Sequence, residues 1–136
     1  MKLQVVSGLK RANLACVLCN STMECHQHIF ATCPYISEIL QHPSLLFTGN
    51  WSDYSRGHFF IGRTVGIRKL LGYLYIAVSF YMVWQERNSR IHNANHRIQA
   101  ASLRGLVKRM ILEKLHSNKR FQQVAAKDFN LVLDLY

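Results

Sequence analysis

Acidic side chains are scarce in this sequence. Its 136 residues hold seven Asp and Glu against 17 Lys and Arg, and the aspartates are Asp53, Asp128 and Asp134. That is too little material for a catalytic centre built on clustered carboxylates. Long apolar runs are missing as well. The uncharged stretch 70–85 falls short of the roughly 20 apolar residues that a membrane span requires, and Gly72 and Ser79 interrupt it. A buried core helix is the better reading, and membrane anchoring is the weakest of the options. The first fifteen residues have no continuous apolar core and contain Lys2, Lys10 and Arg11. No secretory signal is therefore expected, and the protein should stay intracellular, in nucleus or cytoplasm. A chain of this length fits one domain, or a small metal lobe with a helical partner, and leaves no room for a large catalytic apparatus.

The surplus of base is large and local. The formal net charge is +10 and the isoelectric point is near 9.9, a field that favours polyanions, nucleic acid before anionic membrane. Residues 67–118 hold nine Lys and Arg and two Glu, so nine minus two gives +7 of that +10. Residues 1–45 carry five charged side chains and net only +1. Arg97, Arg104 and Lys108 follow one another at seven- and four-residue steps, which on a helix places them together, away from the apolar stripe. They are the candidate contacts to RNA or DNA phosphates, nonspecific in sequence and sensitive to salt. No small-molecule substrate is expected.

All four cysteines fall between positions 16 and 33. Cys16, Cys19, His28 and Cys33 spell C-x2-C-x8-H-x4-C, three thiols and an imidazole that a single tetrahedral Zn²⁺ could collect. Four protein ligands leave no position for water, which describes a structural metal. Cys25 and His26 stand close by, and either could replace His28 as a ligand. His28 is preferred because Ile29 and Phe30 follow it and supply an apolar pair for a small lobe to pack against Leu18. A disulfide reading is disfavoured in a reducing compartment.

The same stretch, CVLCNSTMECHQHIFATCPY, resembles the zinc-binding domain near the C-terminus of plant non-LTR retrotransposon reverse transcriptases. The elements C-x-L-C and H-x-F-x-x-C-P are present as Cys16, Leu18, Cys19, His28, Phe30, Cys33 and Pro34. A second block, Tyr81, Trp84, Glu86, Arg87, Asn88, Arg90 and Ile91, is similar to the downstream Y-x-x-W-x-E-R-N-x-R-I helix of that family. The acidic spacer of the family is thinned here to Glu24. The resemblance covers positions 5 to 115 or so and implies a nucleic-acid-associated, non-catalytic module derived from a retroelement polyprotein. The aspartates do not supply a polymerase Asp-Asp turn or an RNase H carboxylate cluster, so reverse transcription is beyond this chain alone.

Mainly α structure is expected, arranged as a zinc lobe followed by a helical hairpin with a long apolar helix. The lobe spans residues 1–45, with a lead-in of uncertain form before the first cysteine and a short helix opened by Pro34 and ended at His42 and Pro43. Residues 46–66 read as a connector with turns, since four of the seven glycines lie between 44 and 66 among Phe47, Trp51, Tyr54, Phe59 and Phe60. Those aromatics are expected to cover the core. Residues 67–118 form the basic hairpin. Its first helix should bury Leu71, Leu74, Tyr75, Val78, Tyr81, Met82 and Gln85, with Trp84 as core anchor, and turn solvated at Glu86, Arg87 and Arg90. Asn93 and Asn95 mark a break, Asn95 capping a second helix from Arg97 to His116 that buries Leu103, Leu106, Val107, Met110 and Ile111. Residues 119–136 form a tail. The alternative function, from another class, is a structural or protein-interaction zinc module with no nucleic-acid role.

Overall fold

The computed structural model describes residues 15–42, 45–63, 66–92, 95, 97–119 and 122–123. Among them the chain is mainly helical: a π-helical turn at His28–Thr32 leads into α1 (Pro34–Ile39), followed by α2 (Trp51–Arg56), α3 (Ile67–His92) and α4 (Ala100–Ser117). Extended backbone among the described residues pairs only in two isolated antiparallel bridges, Ala15 with Met23 and Phe47 with Phe60. The expected lead-in before Leu14, Pro43, the Asn93 break and the apolar tail residues Phe121, Val124, Phe129, Leu131 and Leu133 lie outside the described residues.

Helix α1 starts where Pro34 sits in the first turn, a position whose missing N–H has no helical partner to lose. It buries Tyr35, Ile36 and Ile39 and leaves Ser37, Glu38 and Gln41 to solvent. Helix α2 lies inside the segment read as turns. The Asn50 side chain accepts from Ser52 N at 2.8 Å to open it, and Gly57 closes it at φ 74°. Six residues are too few to show a helical period. The aromatics around it do pack inward: Tyr54 meets Phe80 edge-on at 5.1 Å, and Phe30 lies between Trp51 at 5.2 Å and Phe80 at 4.9 Å.

Helix α3 runs for 26 residues and buries Leu71, Tyr75, Ile76, Val78, Phe80 and Val83. Its exposed side differs from the expected one. Tyr81 is half exposed and accepts from Gln85 Nε2 at 2.8 Å on the surface, so neither belongs to the core. Trp84 is partly buried, its Nε1 enclosed without an acceptor. The anchor is Tyr75, fully buried, whose hydroxyl donates to the Ile39 carbonyl at 2.6 Å and ties α3 to α1. The last turns are the reverse of solvated: Glu86 and Arg87 are each only 4% exposed, because opposite charges meet there. No helix among the described residues is long and apolar enough to cross a membrane.

Helices α3 and α4 pack side by side and run antiparallel. Leu70 and Leu74, early in α3, share a surface depression with Lys114 and Ser117 late in α4, whereas Glu86 and Arg90 late in α3 bond to Ile98 just ahead of α4. Gln99 occupies the N-cap of α4, so Asn95 is not its cap and Arg97 precedes the helix. The buried stripe is Ala100, Leu103, Val107, Ile111 and Leu115, steps of three and four that keep one face inward, with Leu106 and Met110 half-buried beside it.

Candidate metal centre

The cysteine turn is built locally. Cys16 N donates to the Thr22 carbonyl at 2.8 Å and Asn20 N to the Cys16 carbonyl at 2.7 Å, folding Cys16 and Cys19 onto one side. Asn20 takes φ 58°, a left-handed conformation that asparagine tolerates better than most residues. The bridge from Ala15 to Met23 closes the base of this hairpin.

The other two donors come from the π-helical turn. Its wider winding seats His28 inside the protein with its ring facing Cys19, and Cys33 N donates back to the His28 carbonyl at 2.6 Å as the turn ends. Cys33 is extended, at ψ 133°, and immediately precedes α1. One ligand therefore sits at each end of the π-helical turn, a geometry often found at functional sites.

The ligand atoms of Cys16, Cys19, His28 and Cys33 all lie within 4.8 Å of one another, a group that could hold a metal ion. Cys19 Sγ is 3.2 Å from His28 Nε2, and Cys16 Sγ is 4.0 Å from Cys33 Sγ, far beyond the ~2.05 Å of a disulfide. All four cysteines of the chain are free thiols. The contact with Cys33 lowers the Cys16 thiol to about 5, and the same contact raises Cys33. A thiol of this kind is ready to act as a thiolate, the form that binds metal.

The two alternatives are not in that group. Cys25 is exposed, and its sulfur accepts the His28 N–H at 3.4 Å. His26 stacks on Trp51 at 5.4 Å. Ile29, Phe30 and Leu18 are all buried around the cluster, as their positions beside the ligands suggested.

A ring of charge holds the cysteine lobe against α3. Arg90 Nη1 donates to the carbonyls of Val17 and Leu18 in the cysteine turn at 3.1 and 3.4 Å, Nη2 to Ile98 O at 2.9 Å, and Nε to Glu86 at 2.9 Å. Glu86 also accepts from Ile98 N at 2.9 Å, and the Tyr35 ring lies 5.1 Å below the Arg90 guanidinium. Arg87 pairs with Glu24, the single acid left in the spacer between the ligands. Sequence reasoning missed these four as site residues. The Glu86 to Arg90 step of four is a recognised helical pairing signal, whereas nothing local links Glu24 to Arg87.

The basic residues singled out on α4 do not share one solvent face. Arg97 is exposed ahead of the helix, whereas Arg104 and Lys108 are half-buried. The reason is helical arithmetic: Arg104 is four residues from Ala100, three from Val107 and seven from Ile111, all buried, so it borders the apolar stripe. The residue opposite the stripe is Arg109, which is exposed.

Comparison with protein-family models, with curated proteins and with solved structures gives no match. The cluster's own geometry carries the functional reading.

Proposed function

We propose that this chain is a zinc-binding, non-catalytic module that associates with nucleic acid, akin to the zinc-binding region of retrotransposon reverse transcriptases. The observation that carries the proposal is the closed Cys3His group. A tetrahedral Zn²⁺ with Zn–S near 2.3 Å and Zn–N near 2.05 Å requires ligand atoms about 3.5 to 3.8 Å apart. The contacts of 3.2 and 4.0 Å bracket that range and every donor pair lies within 4.8 Å, so side-chain adjustments that draw the group together reach it. Three thiols with one imidazole suit a soft or borderline ion, and four protein ligands make its role structural. The two sequence blocks of the resemblance meet at this site, since Glu24, Val17 and Leu18 of the first are the partners of Arg87 and Arg90 of the second. Nucleic-acid association is supported by the net charge of +10 and by the exposed Arg97, Arg109 and Lys114.

Metal analysis of the purified protein should give one zinc per chain. Cys16→Ser should abolish that stoichiometry, and Cys25→Ser should leave it intact; the opposite pattern overturns the ligand assignment. Small metal lobes couple binding to folding, so chelation should also unfold the cysteine lobe. Binding to RNA or DNA should weaken steeply with salt.

A second reading has its own observation. Arg87 and Arg90, prominent in the basic hairpin, lie inside the protein and face its carboxylates, which suits a zinc lobe whose task is to staple a helical bundle. Salt-insensitive or absent nucleic-acid binding by the metal-loaded protein would favour that reading.

A further inference from the structure

We propose that the cavity between α1, the loop before α2 and α4 is a binding site for a small organic anion, one phosphate or carboxylate on an apolar body, anchored by Arg104. The cavity is a depression open to solvent with a volume of about 520 Å³, and its walls include Ser37, Gln41, His42, Phe47, Tyr54 and Arg104. Volumes of this order accommodate small ligands. Among the described residues no Asp or Glu lines it and none of Cys16, Cys19, His28 and Cys33 reaches it.

The charge in this cavity has no carboxylate counterpart among the described residues. Among the described residues no carboxylate pairs with Arg104, and its Nε is enclosed without a hydrogen-bond partner. The guanidinium lies near the Tyr75 hydroxyl, whose ionisation it favours, and that hydroxyl donates to the Ile39 carbonyl. A half-buried cation placed in this way contrasts with Arg87 and Arg90, each of which meets a carboxylate. A half-buried guanidinium with no carboxylate partner among the described residues is available to an anion from outside, and its planar fork matches a phosphate or carboxylate.

The rest of the wall fits the remainder of such a molecule. Phe47 and Tyr54 contribute apolar wall for the body of such a molecule, while Ser37 and Gln41 add polar groups and are both exposed. His42, buried on the same wall with its ring edge-on to Tyr75 at 5.5 Å, adds an imidazole to the lining. One charged head and one apolar body are therefore both accommodated.

The test uses the full, metal-loaded chain and titration calorimetry with four probes: 1-naphthyl phosphate, 1-naphthoate, neutral 1-naphthalenemethanol and inorganic phosphate. The two naphthyl anions should bind saturably at one site, and the neutral alcohol and inorganic phosphate about tenfold more weakly or worse. The ratio between the two naphthyl anions identifies the preferred head group. Arg104→Gln should weaken the naphthyl anions about tenfold or more. Because Arg104 also touches Tyr75, Ser37→Trp provides an independent check: Ser37 is exposed, so the indole can block the mouth without entering the core. Absence of saturable binding by both naphthyl anions overturns the proposal. So does binding that both substitutions leave unchanged, or inorganic phosphate binding as tightly as its naphthyl ester.

Discussion

Gly72 and Gly105 both sit inside helices, and the same substitution should act on them in opposite directions. A Cβ on Gly72 would run into the Phe60 ring, itself wedged against Phe47, Phe59 and Tyr73, so the ring has little freedom to yield. Gly72→Ala should destabilise by ~1–3 kcal/mol through overpacking. Gly105 is exposed, and a Cβ there would meet nothing within 4 Å. Gly105→Ala should stabilise by about 0.5–1 kcal/mol, since alanine loses less backbone freedom in a helix. Urea unfolding of the two variants checks both signs. The tyrosines set an alkaline limit. Burial pushes the Tyr35 and Tyr54 hydroxyls up to about 12 and raises Tyr75. Unfolded tyrosine ionises near 10, so above that pH the unfolded chain releases protons that the folded chain retains. The associated stability is fully present below about pH 10 and is lost as pH rises toward 12. A melting temperature that stayed level between pH 9 and 11.5 would contradict this.

At the scale of elements, the joint between the cysteine turn and α3 is the place where one residue does most. Arg90 and Glu86 have side chains 7% and 3% exposed, and Arg90 reaches Val17, Leu18 and Ile98 as well. Arg90→Met strands the Glu86 carboxylate and the Val17 and Leu18 carbonyls, while the Ile98 carbonyl keeps the Tyr35 hydroxyl as donor, and the change should cost ~3–5 kcal/mol. Adding Glu86→Gln removes the stranded charge yet keeps an acceptor for Ile98 N, so the double variant should recover part of the loss. Denaturant midpoints of the single and double variants decide the matter; equal midpoints would mean that the Glu86 charge is not what Arg90 neutralises.

The same joint shows why part of the fold could be read from sequence and part could not. The four ligands were readable because the spacing from Cys16 to Cys33 is local, and α1 because Pro34 and a clear three-and-four pattern mark it. Glu86, Arg87 and Arg90 look like a solvated helix end, since charge in a sequence does not disclose an opposite charge 63 residues away. Helix α2 was hidden by its shortness among glycines. Arg104 was misplaced because its seven- and four-residue relations to Arg97 and Lys108 drew attention from its equally close relations to Ala100, Val107 and Ile111.

For the molecule as a whole, the field available to a polyanion comes from side chains that face solvent. Arg97 and Arg109 are exposed, whereas Arg104 belongs to a cavity wall. Changing Arg97 and Arg109 together to Gln should leave the melting temperature nearly unchanged, because exposed charges contribute little to folding. The slope of log affinity against log salt should fall by up to about 2 if each contacts a phosphate. Sequence preference should not change, since such contacts carry no base information. An unaltered slope would show that these two arginines lie outside any nucleic-acid footprint. Order along the chain adds a temporal side to the metal centre. All four ligands precede Pro34, whereas Arg90, which grips the carbonyls of their turn, is added 57 residues after Cys33. At about 5–20 residues per second of synthesis, the ligand set is complete roughly 3–11 s before its clamp exists. If the group binds an ion, a nascent chain can therefore capture it first and receive the clamping helix afterwards.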